Sequence, residues 1–191
     1  MSGDFAQEKR KFLENEIMLL TLNAGLSTRD RHSKIYADGV DDDHKEKIRD
    51  AIRNKLSDLG HGYITKVSPE EEHIRNIVEF ADELTSEFSR MLDKGRFRIG
   101  VSQKVINLYL KYLWTLGWLA EPPCHCPFDS IVIGTLDLSP RPNWTCLDSI
   151  DEYRSLVTSA RKAASKAGLS SLAVWELGLY DERRRNQSAS A

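Results

Sequence analysis

Gly100 to Ser130 reads "GVSQKVINLYLKYLWTLGWLAEPPCHCPFDS", and this stretch decides the fold class. From Ser102 to Leu116 it is apolar on almost every side, which marks a central helix surrounded by other helices rather than a surface helix with one greasy stripe. At one hundred degrees per residue, Lys104, Asn107, Lys111 and Thr115 form its one polar seam. Such a seam faces either solvent or a wet cleft. Downstream, Pro122, Pro123 and Pro127 stiffen the turn that delivers Asp129, and "SIVIGTL" after it suits either a short strand or a short helix with Asp129 as its N-cap.

The flanks are helical as well. Residues 4 to 24 place Phe5, Phe12, Leu13, Ile17 and Leu20 at helical spacing and end at Gly25. A second helix is expected from about Asp42 to Leu59, with acidic residues in its first turn and Gly60 and Gly62 as its terminators. Ser68-Pro69-Glu70-Glu71 reads as a helix start with Ser68 as N-cap, Pro69 as first helical residue and Glu71 completing a capping box. Ile74, Ile77, Val78, Ala81, Leu84, Phe88 and Leu92 mark the buried face that follows. Two more helices are expected at about 149–167 and 169–182, while "YITKV" is too short and isolated to found a sheet. The fold class is therefore all-α: a single helical domain over residues 1–183 with about six to eight helices, and a flexible tail at 184–191.

A chain of 191 residues can bury a sizeable core without disulfides or metals. Its net charge of -2, with 29% charged and 40% hydrophobic residues, describes an ordinary globular chain and does not advertise a polyanionic partner. Three cysteines and an N-terminus without a secretory pattern point to a reducing, cytoplasmic setting. No apolar run approaches the roughly 18 to 20 residues that span a bilayer, so no membrane association is expected. The sequon at Asn143-Trp144-Thr145 has no route to glycosylation without a secretory signal.

Charge is nevertheless uneven. Lys94, Arg96, Arg98, Lys104 and Lys111 precede any acidic residue until Glu121, and Gly100-Val101-Ser102 would offer free backbone N–H groups at a positive helix end, a place for a phosphate. Gly100-Val101-Ser102-Gln103-Lys104-Val105, the apolar Leu108, Leu110 and Leu113, and then Pro127-Phe128-Asp129 with Ile131 and Val132 together resemble the core of the helix-hairpin-helix base-excision DNA glycosylases, the superfamily of endonuclease III and the 8-oxoguanine glycosylases. The resemblance covers residues 94–133. It implies a helix-hairpin-helix glycosylase-like domain acting on DNA in repair, as a hydrolase with or without lyase activity. Lys104 would be the amine nucleophile toward C1′ of a flipped nucleotide and Asp129 the assisting carboxylate. Arg96, Arg98, Gly100, Ser102, Gln103 and Lys111 would face the DNA. The iron-sulfur cysteines of endonuclease III are missing, so no cofactor is expected. The competing reading is a non-enzymatic all-α module that binds nucleic acid or protein through the basic zone 94–111.

Trp114 and Trp118, four apart at the end of the central helix, serve either as core or as a stacking surface for an extruded base. Cys124-His125-Cys126 with Cys146 contains soft ligands, but C-x-C is not the usual zinc spacing, so buried thiols and no metal are the expectation. Glu176, flanked by apolar residues in "LAVWELGLY", is a carboxylate to follow.

Overall fold

The computed structural model describes residues 5–28, 33–66 and 68–188, with side chains as far as Asp181. Seven α-helices account for most of them: α1 (Ala6–Gly25), α2 (Asp42–Thr65), α3 (Glu70–Phe88), α4 (Ile99–Thr115), α5 (Ser130–Thr135), α6 (Ile150–Lys166) and α7 (Leu172–Ser188). Among the described residues there is no strand, only one antiparallel bridge between Tyr36 and Leu92. The all-α class is what the periodicity demands. No described helix is long and apolar enough to cross a membrane.

α4 is the axis of the domain. Val105, Ile106, Leu110 and Leu113 are buried, and α1, α2, α3 and α6 all pack against it. Close approach needs small residues at the crossings. At Gly60 a Cβ would lie 2.7 Å from Cε1 of Tyr109, and at Gly25 one would lie 2.6 Å from Cγ2 of Val105. Gly60 is therefore not a terminator. α2 runs on through Gly60 and Gly62 to Thr65, and the missing side chain at Gly60 makes room for α4.

Other helix ends also differ from the sequence reading. α3 begins at Glu70 with Pro69 as its N-cap and no side-chain cap, so the Ser68 capping box does not form. Asp41, one residue before the expected start, caps α2 by accepting from the His44 N–H at 2.8 Å. α4 starts three residues before Ser102, at Ile99. Residues 184–188, expected as tail, continue α7, and 189–191 lie outside the described residues. The "SIVIGTL" alternative resolves to the short helix α5, because Asp129 accepts from the N–H groups of Ile131 (2.9 Å) and Val132 (3.1 Å).

The face of α1 departs most. Ile17, Met18, Leu22 and Gly25 are buried, but Phe5, Phe12, Leu13 and Leu20, expected on the core side, are exposed. The buried set and the exposed set lie on opposite sides of one cylinder, and periodicity alone does not say which side meets the core.

Candidate functional site

The polar seam of α4 splits in the folded domain. Lys104, Leu108, Lys111 and Thr115 line a cavity of about 630 Å³ closed by Pro127, Asp129, Ile131 and Val132 around α5 and by Glu176, Leu177 and Tyr180 of α7. Asn107 turns the other way, into the core. The wall carries two Lys–carboxylate pairs. Lys111 Nζ sits 2.6 Å from Glu176 Oε2, with both residues buried. Lys104 Nζ lies 3.9 Å from Asp129 Oδ2 and 4.2 Å from the ring centre of Trp144. Lys104 is anchored in this position by the opposite charge and by the ring face. Asp129 divides its work, since Oδ1 caps α5 while Oδ2 faces the lysine. Burial pushes the Glu176 carboxyl above its ordinary range against the opposing pull of Lys111, and the Asp129 charge adds to the rise.

A second, more polar depression of about 460 Å³ shares Lys104 and Asp129 and continues past them to Asn23, Ser27, Ser130, Asn143 and Trp144. The lysine and the aspartate thus stand where an apolar chamber meets a polar one. Trp144 is forty positions from Lys104, with no spacing signal to connect them; it is buried, as a core tryptophan would be, yet its ring also faces Lys104. Trp114 and Trp118, read as either core or a stacking surface, line neither chamber. Both are partly buried against the core, and Arg10 lies over the Trp118 ring at 4.7 Å.

The basic zone 94–111 is not one surface. Arg96 pairs with Asp82 (2.5 Å) and Asp148 (3.0 Å). Arg98 is buried and binds Asp93, the Thr145 carbonyl and the Lys34 carbonyl, tying the loop after α1 to the loop before α6. Lys111 is held by Glu176, and of the five cations Lys94 alone is exposed.

Nor are the amides at the start of α4 free for a phosphate, contrary to expectation. Ile99 N–H donates to Asp148 Oδ1 (3.1 Å), Gly100 N–H to the Leu147 carbonyl (2.8 Å), and the Val101 and Ser102 N–H groups to the Arg98 carbonyl (3.0 Å each). Ser102 and Gln103, read as DNA-facing, are fully buried: Ser102 Oγ donates to the Ile77 carbonyl at 2.6 Å. The loop at 144–148 occupies the place the sequence suggests for an anion. It does so because Gly100 lets the Trp144 carbonyl sit where a side chain would be.

Behind α4 lies a polar network that sequence reasoning missed. Gln103 brackets the Phe128 peptide, accepting from its N–H at 3.0 Å and donating to its carbonyl at 2.7 Å, and so fixes the residue before Asp129. Asn107 donates to Gln103 (3.2 Å) and to Tyr153 Oη (3.3 Å), and accepts from His73 Nε2 (2.8 Å). His73 Nδ1 then accepts from Tyr63 (2.6 Å). Tyr153 donates to His125 Nδ1 (2.7 Å), and His125 Nε2 donates to Glu70 (3.1 Å), which also binds Arg161 (2.7 Å). With both imidazoles neutral, the donors and acceptors of this chain match from Tyr63 to Glu70. Ligand atoms of His73, Cys124 and His125 lie within 4.8 Å of one another. All four ring nitrogens, however, are already hydrogen-bonded, so the trio is better matched to this network than to an ion.

Burial lowers His73 from 6.5 to about 3 and lowers His125 as well. Both rings are thus neutral when folded, whereas the unfolded chain protonates them near pH 6.5. For His73, between that value and about 3 the unfolded state binds more protons, so stability falls as pH falls. For His73 alone the loss from pH 7.5 to pH 5 is about 2 kcal/mol. Urea unfolding at the two pH values should show this drop, and in a folded His73→Gln variant the drop should shrink. Equal midpoints at pH 7.5 and 5 for the unaltered chain would contradict the neutral network.

The chain as a whole matches no family model, no curated protein and no solved structure.

Proposed function

We propose that the cleft between α4, α5 and α7 is the active site of a DNA glycosylase with lyase activity, with Lys104 as nucleophile and Asp129 as its proton acceptor. The observation that carries this reading is the 3.9 Å approach of Lys104 Nζ to Asp129 Oδ2 at the junction of the two chambers. It is supported by the local resemblance over residues 94–133. The chamber sizes support it too: a flipped base fits the apolar side, lined by Leu108, Tyr112 and Tyr180, and the sugar and its phosphates fit the polar side near Asn23 and Ser130.

In the reaction the Lys104 ammonium passes a proton to Asp129. The freed nitrogen electron pair then bonds to C1′ as the glycosidic C–N bond breaks and its electrons leave on the base. The nitrogen gives its second proton to solvent and its electron pair expels O4′, which takes up a proton. The C1′ iminium so formed loses a C2′ proton as the 3′ phosphate leaves with its bonding electrons, and water then hydrolyses the iminium and frees Lys104. Arg96, Arg98, Gly100, Ser102 and Gln103 hold the fold that presents this pair, and the DNA contacts fall to the rim of the polar chamber. A binding module using the zone 94–111 is less well supported, because four of its five cations are turned inward or paired.

Borohydride trapping on duplexes carrying abasic sites or modified bases tests the proposal. The unaltered protein is expected to form a covalent adduct and Lys104→Ala none. Asp129→Asn keeps the cap on α5, since asparagine is as good an N-cap as aspartate, but removes the proton acceptor; a rate lower by about 10² to 10⁴ is expected at nearly unchanged melting temperature. Asp129→Ala loses the cap as well and should cost a further ~1 kcal/mol of stability. An adduct that survives Lys104→Ala, or no adduct on any substrate, would sink the reading.

A further inference from the structure

The first three turns of α1 bury no side chain, and it is the polar Arg10, over the Trp118 ring, that meets the rest of the domain there. No residue before Ile17 in this helix is buried, while Phe5 is 61%, Phe12 62%, Leu19 45% and Leu20 50% exposed, with Leu13 beside them. An isolated helical segment of this length is marginal in water, and its apolar face calls for a partner. The order of residues along that face indicates which partner. At one hundred degrees per residue, Phe5, Lys9, Phe12, Leu13, Glu16, Leu19 and Leu20 form one stripe, and all seven are exposed. About the midpoint between Phe12 and Leu13 six of the seven pair off, and Leu19 falls opposite the small Ala6. Phe5 mirrors Leu20, Phe12 mirrors Leu13, and Lys9 mirrors Glu16.

We infer that α1 is a homodimerisation surface, on which a second copy of this chain packs its own α1 antiparallel about a two-fold axis at Phe12 and Leu13. A two-fold contact requires one patch that complements itself. Antiparallel pairing at this register sets each Lys9 against Glu16 of the other copy, twice, between apolar pairs at the centre and the ends. A parallel pairing would set Lys9 against Lys9 and Glu16 against Glu16. The contact runs from Phe5 to Leu20, about 22 Å of helix, and leaves the Lys104–Asp129 cleft outside it.

Sedimentation equilibrium of the full chain at about 50 μM tests this. The expected mass is twice 21.8 kDa. Phe12→Glu with Leu20→Glu should give the monomer mass with a cooperative melting transition retained, since both side chains are exposed. Lys9→Glu alone places Glu against Glu in both symmetric pairs and should weaken the dimer about tenfold. Adding Glu16→Lys inverts both pairs and should restore the affinity to within about threefold of the original. A monomer throughout, a dimer indifferent to Phe12→Glu with Leu20→Glu, or a double charge reversal no better than the single one would each overturn the inference. Association of α1 with a different protein while this chain remains monomeric would overturn it equally.

Discussion

Gly100→Ala is expected to lower the stability of the domain by about 4 kcal/mol or more, a loss on the scale of severe core lesions. The added Cβ would stand 1.7 Å from the Trp144 carbonyl oxygen and 2.9 Å from Leu147 Cβ. The first obstacle is backbone and cannot swing aside as a side-chain tip would. To relieve the clash the 144–148 loop must move off the start of α4. That breaks the Gly100-to-Leu147 and Ile99-to-Asp148 hydrogen bonds and draws Trp144 away from Lys104. A melting temperature lower by roughly 8 to 16 °C follows for a chain of this size. Gly178→Ala supplies the contrast. A Cβ at Gly178 in α7 meets nothing within 4 Å, and alanine is the better helix former by about 1 kcal/mol, so that variant should be neutral or slightly stabilising. If Gly100→Ala melts with the unaltered protein, the tight contact between the loop and α4 is not as described.

Gln103→Leu is expected to cost about 3 to 5 kcal/mol, by a different route. Phe128 is fully buried, and both its N–H and its carbonyl are satisfied by the Gln103 amide. Leucine fills much of the same volume and leaves both backbone groups without partners in the core. It also removes an acceptor for Asn107 and a donor to the Gly100 carbonyl. Each orphaned buried group costs about 1 to 3 kcal/mol. Since Phe128 immediately precedes Asp129, the carboxylate also loses its fixed position toward Lys104. Calorimetry measures the first effect and adduct formation the second. A variant with unchanged melting temperature and lost adduct would mean that Gln103 touches the substrate, as the local resemblance suggests, and does not merely hold the turn.

These two substitutions show why assays on this segment need a stability measurement beside them. Gly100, Ser102 and Gln103 lie in the stretch that resembles a DNA-binding hairpin, so loss of function on mutating them would look like lost DNA contacts. In the folded chain they join α4 to the 144–148 loop, to α3 and to the Phe128 turn.

Much of the fold is legible in the amino-acid order, because helix periodicity is a local property. The all-round apolar run from Ser102 to Leu116 announces a central helix, and Ile74, Ile77, Ala81 and Leu84 announce the buried face of α3. The boundaries are less legible. α2 passes through two glycines because α4 needs the space at Gly60, a demand made by a residue some fifty positions away. Lys104 and Asp129 each stand out in the sequence, one heading the seam of α4 and the other following a stiff turn, but only a local resemblance joins them there, and their 3.9 Å approach comes from the fold.

The companions of that pair are not. Trp144 and the chain from Tyr63 through His73, Asn107, Tyr153 and His125 to Glu70 come from separate segments and meet only when the helices pack, and Glu176, conspicuous in the sequence as a carboxylate among apolar neighbours, finds its partner Lys111 the same way. The sequence by itself determined where the helices lie and, for α3 and α4, which residues are buried, because those depend on neighbours three and four residues apart; which side of α1 meets the core it did not determine. Only the tertiary structure decided which charges face a cleft and which are consumed in holding it open. Pairing and burial depend on residues brought together from distant parts of the chain: Arg98 is neutralised inside by Asp93 while Lys104 reaches the cleft wall, and nothing in their local spacing distinguishes them.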